Sequence, residues 1–182
     1  MKHRLLLYNN IINLLWTVLC FLPVLMFWLV AGANSWLYLF LLSSLTACFL
    51  PDRTLDKLTL SRNPQFYERA GVKLIRKFVQ NGDWARTAVR IGDTRKIRNS
   101  GHAKTYLKTV SMYERYHWCC FLFFTQTTFY GLPSKSLTWM ASIVAANIIY
   151  NLCPIFLQQY NKVKIKGIIS RRLAKGGSLA NR

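Results

Sequence analysis

Acidic residues are scarce in this chain: six Asp and Glu stand against 25 Lys and Arg in 182 residues, a formal net charge of +19. Charge of either sign is missing altogether from four long stretches, Leu5–Ala31, Trp36–Leu50, Trp118–Pro133 and Leu137–Tyr160. A soluble domain intersperses its apolar residues at periods of 2 or 3.6. Uncharged blocks of this length exclude that pattern. The five cysteines (Cys20, Cys48, Cys119, Cys120, Cys153) include no Cys-x-x-Cys pair, and their number is odd. Neither a disulfide framework nor a zinc site is indicated, and no metal or organic cofactor is expected. An internal repeat is also lacking, and no intramembrane charge lies between Trp118 and Tyr160. Both absences argue against a transporter.

What the chain has instead is membrane-length apolar sequence. A spanning helix needs roughly 17 to 25 apolar residues. The first and last blocks meet that requirement. The second and third are shorter, so they either span with help from 33–35 and 113–117 or re-enter from one side. The expected fold is an all-α integral membrane protein with about four transmembrane helices and a cytoplasmic amphipathic interfacial helix. Met1–Ser35 begins like a signal peptide, but its apolar run far exceeds the roughly 7 to 15 residues of such a segment. It reads as a retained anchor.

Basic residues accumulate on the cytoplasmic side of membrane proteins. Fifteen of the 25 Lys and Arg lie in 51–116, seven in 161–182 and two before the first block; the turn at 32–35 has none and that at 131–137 only Lys135. The expectation is a multi-pass protein of the cell membrane with both termini cytoplasmic. It divides into two transmembrane helices in 1–50, a basic cytoplasmic connection in 51–116, two more transmembrane helices in 117–160 and a basic tail in 161–182. Anionic headgroups are the nearest partner for the basic face, at about 1 kcal/mol per basic residue. No DNA- or RNA-reading motif accompanies the charge, so no nucleic-acid partner is expected.

Within the connection, Asn63-Pro64 reads as an N-cap followed by Pro at the first helical position. A helix over about 64–80 should stop at Asn81-Gly82-Asp83. Wound at 100° per residue, it places Arg69, Lys73, Arg76 and Lys77 on one arc and apolar residues on the rest, the pattern of a helix lying in the membrane interface. Glu68 falls on the apolar side. It either has a partner there, since burying it alone is costly, or is solvated near the helix start. Farther on, Ser100 is placed to cap a helix running through Lys104, Leu107 and Val110 into the third block.

In that helix Glu114, His117, Thr125 and Thr128 fall within about 80° of arc, and in the fourth block so do Asn147, Asn151, Gln158 and Asn161. Ionisable and amide groups at membrane depth usually face a protein interior or a water-filled cavity. Glu114 and His117, neighbours at i,i+3, are therefore read as lining a polar site opposite Asn151 and Gln158, with the Glu68 helix as its floor. The plainer alternative makes the amides inter-helix hydrogen-bond glue and His117 an interfacial residue. For Asn147 and Thr125 that plainer reading is preferred.

Three stretches carry a resemblance: "FYERAGVKLIRKFVQNGDW" at Glu68 and Gly71, "ERYHW" at Glu114 and His117, and "NLCPIFLQQYNKVKI" at Asn151, Gln158, Tyr160 and Asn161. Over roughly 50–175 the sequence resembles the small membrane-embedded glycosyl-diaponeurosporenoate acyltransferases of carotenoid biosynthesis. Where that family often reads Gln-Arg-Tyr-Asn-Arg, this chain has Gln159 and Lys162, which removes bidentate guanidinium recognition of a phosphate or carboxylate. The resemblance implies transfer of a fatty acyl group from an acyl donor onto a hydroxyl of a glycosylated, membrane-dissolved isoprenoid. It implies His117 as general base, Glu114 or Glu68 orienting the imidazole, and Asn151 and Gln158 donating to the oxyanion. Tyr160 and Asn161 join the substrate-binding set. The competing reading is a non-catalytic membrane subunit or scaffold that binds anionic lipid and a partner enzyme.

Overall fold

The computed structural model describes residues 2–78, 100–133 and 136–179, and among these the only regular structure is helical. The first apolar block forms α1 (Lys2–Ala31), ended by Gly32 at φ 78°, a left-handed value that a side chain would disfavour. Asn34 then caps α2 (Ser35–Leu45), its Oδ1 accepting from Trp36 N at 3.0 Å and Leu37 N at 3.3 Å. A 3-10 turn, Thr46–Phe49, closes the second block. Pro51 leads into the short α3 (Asp52–Lys57).

The segment after Asn63 departs from the single helix expected over about 64–80. Asn63 does cap a helix, its Oδ1 accepting from Gln65 N at 2.9 Å. That helix, α4 (Pro64–Arg69), breaks at Gly71, where φ is 83°, and α5 (Val72–Phe78) begins just beyond it. The left-handed glycine lets both pieces turn an apolar side inward. Tyr67 and Val72 are buried against Leu157 and Tyr160, with Ile75 packed alongside. Much of the apolar face expected to meet lipid is thus covered by protein, although Phe66 and Leu74 remain exposed. The expected stop at Asn81-Gly82-Asp83 lies outside the described residues.

The third block sits in α6 (Ser100–Gly131), one continuous helix of 32 residues from the polar connection to the far turn. Ser136 caps α7 (Leu137–Asn147), its Oγ accepting from Trp139 N at 3.3 Å. The helix then passes through one π-helical turn, Ile148–Leu152, and continues as α8 (Cys153–Leu179). Central α6 packs on α2, α7 and α8, while α1 packs on α7. The main core lies between α1, α6 and α7, around Phe27, Phe124, Met140 and Ile143.

Two helical stretches are long and apolar enough to cross a membrane, Asn10–Ala31 and one within Leu137–Arg171; Ser35–Phe49 is apolar but shorter. The outward side of α1, α2 and the 3-10 turn is apolar too: Leu14 is 65% exposed, Leu42 66% and Phe49 84%. The two short turns share one end of the bundle, where Asn34 Nδ2 donates to Tyr130 OH at 3.2 Å and Trp28 stacks on Tyr130 at 5.5 Å. The ion pairs gather at the other end, where Arg115 donates to Asp52 Oδ1 and to the Leu50 carbonyl, each at 2.6 Å.

Candidate functional site

Two polar layers cross the bundle between α6 and the α7–α8 helix. The layer nearer the charged end centres on Glu114, which is fully buried. Lys162 Nζ reaches Glu114 Oε2 at 2.7 Å, in an approach off the hydrogen-bond direction, so the contact is an ion pair more than a directed bond. Gln159 Nε2 donates to Glu114 Oε1 at 3.2 Å and to the Leu58 carbonyl at 3.1 Å, while its Oε1 accepts from Leu60 N and Tyr67 OH, both at 3.1 Å. Gln159 therefore ties the 58–61 loop, α4 and α6 to α8. Asp56 lies 3.6 Å from Lys162 and 2.6 Å from Lys166. Partial burial works to raise the Asp56 pKa, but the ammonium groups of Lys166 and Lys162 outweigh it and hold the carboxyl below its ordinary 3.8. Burial likewise pushes the Tyr67 phenol up.

Beside this layer, Glu68 has the partners that one of its two readings required. Lys73 Nζ lies 2.7 Å from Oε2, and Tyr160 OH donates to Oε1 at 2.8 Å. The hydrogen bond from Lys73, then that from Tyr160, holds the carboxyl below its ordinary 4.5. Lys164 donates to Tyr160 OH at 2.7 Å, so the phenol both gives and receives.

The second layer is deeper in the apolar region and contains His117. Its ring meets those of Tyr116 and Tyr150 edge-on, at centroid distances of 5.2 and 5.9 Å. The Asn151 side chain and the Tyr150 backbone lie within interaction range of the imidazole. His117 Nδ1 and Asn151 Oδ1 are nevertheless both buried without a hydrogen-bond partner. Asn151 Nδ2 donates to Asn147 Oδ1 at 2.8 Å, and Asn147 Nδ2 donates to Thr125 Oγ1 at 3.1 Å and to the Phe121 carbonyl at 3.2 Å. Asn147 and Thr125 thus act as the glue between helices that they were read to be.

The expected residues fall into separate groups. His117 and Asn151 share the deep layer, Glu114 belongs to the Lys162–Gln159 layer, and Glu68 and Tyr160 bind each other. Among the described residues no ion pair joins His117 to Glu114 or Glu68. The carboxylates are committed to lysines, so neither orients the imidazole here. Gln158 and Asn161 are half-buried and enter no hydrogen bond among the described residues, while Gln159 and Lys162 take the buried positions expected for them. The π turn is the reason. It adds about one residue to the helix, which rotates everything after Leu152 by roughly 100°. The stripe begun by Asn147 and Asn151 therefore continues at 159 and 162 instead of 158 and 161. Tyr67 and Asp56 were also missed, because their role depends on how the connection folds back onto α8.

A family model described as glycosyl-4,4'-diaponeurosporenoate acyltransferase matches residues 51–171, which include both layers. Comparison with curated proteins and with solved structures gives no match.

Proposed function

Since this chain belongs to the glycosyl-4,4'-diaponeurosporenoate acyltransferase family, we propose that it is a membrane-embedded O-acyltransferase. It moves a fatty acyl group onto a hydroxyl of a glycosylated isoprenoid or carotenoid lipid. Its four apolar blocks cross the bilayer of the cell membrane, with both termini and the basic connection on the cytoplasmic side against anionic headgroups. The exposed leucines of α1 and α2 support this, because a water-soluble monomer rarely shows so large an apolar surface. So does depth: Glu114 lies 17 residues before Gly131 in α6, about 26 Å along the axis, against a hydrocarbon core of about 30 Å.

The observation that carries the reading is His117, which lies almost one helical turn farther into the apolar region than Glu114 and whose Nδ1 is buried without a hydrogen-bond partner. As base, it takes the proton of the acceptor hydroxyl while that oxygen attacks the acyl carbonyl carbon. The new ester bond forms, the bond from the acyl carbon to its carrier breaks, and the proton passes from His117 to the departing thiol or alcohol. Asn151 stands beside the imidazole. Glu114 acts at a distance, holding α6 against α8 through Lys162. The test is acyl transfer in purified membranes by the parent and by His117→Ala; retention of the parent rate by His117→Ala overturns the assignment.

One observation favours the scaffold reading: the most buried carboxylate serves a lysine and not the histidine. On that reading the layers only hold helices together. The His117→Ala protein would then support a partner enzyme as well as the parent does, and Lys162→Met would not.

A further inference from the structure

Acyl transfer by His117 needs a donor for the negative oxygen of the tetrahedral intermediate, and neither amide assigned from sequence is placed to give one. Asn151 is fully enclosed and already donates to Asn147, while Gln158 lies a full turn and more away on a rotated face. The rings packed against His117 are those of two tyrosines, and their hydroxyls face each other. We propose that Tyr116 and Tyr150 form the oxyanion-binding pair of the reaction, an inference that rests on the reading of His117 as its base.

Tyr116 OH and Tyr150 OH are 3.3 Å apart, and Thr17 Oγ1 lies 3.0 Å from Tyr150 OH. Three hydroxyls in a row carry three donor protons, and the two links between them use two. One O–H therefore remains over from the two links: Tyr116 presents it, with the Cys120 thiol alongside, or Tyr150 does when it accepts from both neighbours. The chain joins α1, α6 and the π turn, and both rings flank the imidazole. Tyr116 is 43% exposed, so its edge of the site faces the surroundings of the bundle, where a lipid substrate arrives. The π turn is the second, independent sign. It is a costly irregularity that occurs often at functional sites, and here it carries Tyr150 and Asn151 together.

In the step itself the acceptor oxygen bonds to the acyl carbon, and the carbonyl electron pair moves onto its oxygen. The one free tyrosine O–H, polarised by the other tyrosine's hydroxyl, holds that charge by a hydrogen bond until the pair returns and the bond to the carrier breaks. A preformed donor, polarised by the hydroxyl behind it in an apolar setting, costs no reorganisation as charge develops.

The test uses the full chain in membranes, with glycosyl-4,4'-diaponeurosporenoate and a long-chain acyl-coenzyme A as substrates. Tyr116→Phe and Tyr150→Phe are each expected to lower kcat about 10²–10³-fold with KM little changed. A long-chain alkylphosphonate, tetrahedral and anionic, should bind both variants more weakly than the parent. A non-reacting thioether of the acyl donor should bind all three alike. Loss of both ligands together would mark a packing role and overturn the proposal. An inactive His117→Ala alongside fully active phenylalanine variants would overturn this inference alone, whereas an active His117→Ala would take the base assignment down with it.

Discussion

Replacing Lys162 by Met should be among the most damaging single changes in this protein, and clearly worse than replacing its partner Glu114 by Gln. Both side chains are nearly or fully enclosed, Lys162 at 3% and Glu114 at 0% exposure. Removing one member of a buried pair leaves the other as an uncompensated charge, at a cost of about 3–5 kcal/mol. The two deletions are not equivalent here. Lys162 has a second carboxylate, Asp56, at 3.6 Å. Among the described residues Glu114 has no second cation, only the neutral Gln159 amide. Lys162→Met should therefore cost the full 3–5 kcal/mol and Glu114→Gln about 1–3 kcal/mol. For a chain of this size that corresponds to a fall in Tm of about 6–20 °C for the lysine variant. The double variant Glu114→Gln/Lys162→Met should recover much of the loss, because a neutral, well-packed replacement of the pair leaves no charge behind. The measurement is helix unfolding followed by circular dichroism in detergent micelles. Equal losses for the two single variants, or a double variant that loses their sum, would refute the reasoning.

Four further outcomes follow from the same geometry. A methyl group on Gly131 would lie 2.6 Å from Met140 Sδ and 2.8 Å from the Phe27 ring, so Gly131→Ala should cost about 1–3 kcal/mol by overpacking, read as a lowered Tm. Gly71→Ala meets nothing within 4 Å, and its cost is set by the left-handed backbone alone, about 1–2 kcal/mol. Gln159→Leu strips partners from Leu58 O and Leu60 N, and each orphaned group costs about 1–3 kcal/mol, so limited proteolysis should cut the 58–61 loop faster than in the parent. The Glu68 carboxyl is held below its ordinary 4.5, so its stabilising contribution is complete above that value and disappears as pH falls through the folded one. The thermal advantage of the parent over Glu68→Gln should thus shrink between about pH 6 and about pH 3; an advantage constant over that range would show the Lys73 and Tyr160 contacts to be idle.

Much of the molecule is legible along the chain because its causes are local. Uncharged blocks become helices in any apolar setting, since the backbone must satisfy its own hydrogen bonds. Asn63-Pro64 caps a helix through atoms two residues away, and the continuous α6 follows from 102–130, which holds no Gly or Pro. Glu114, His117 and Asn151 stand out as polar groups among apolar ones, and that contrast needs no fold to be seen. The break at Gly71 was less visible: a glycine inside a helical pattern is compatible with either outcome, and only the pull of Tyr67 and Val72 toward α8 selects the left-handed one.

The sequence alone determined which blocks of the chain are helical, which end of the bundle gathers its charge, and that Glu114, His117 and Asn151 are polar groups set among apolar ones. The tertiary structure decided who meets whom. One π turn between Asn147 and Cys153 rotated the last helix by about one residue, putting Gln159 and Lys162 where Gln158 and Asn161 were expected and leaving Glu114 to a lysine. Such a turn is chosen by the packing of three helices around Tyr150. Its cost and its gain both arise from contacts far apart in sequence, so a reading along one helix at a fixed 100° per residue has no term that contains it.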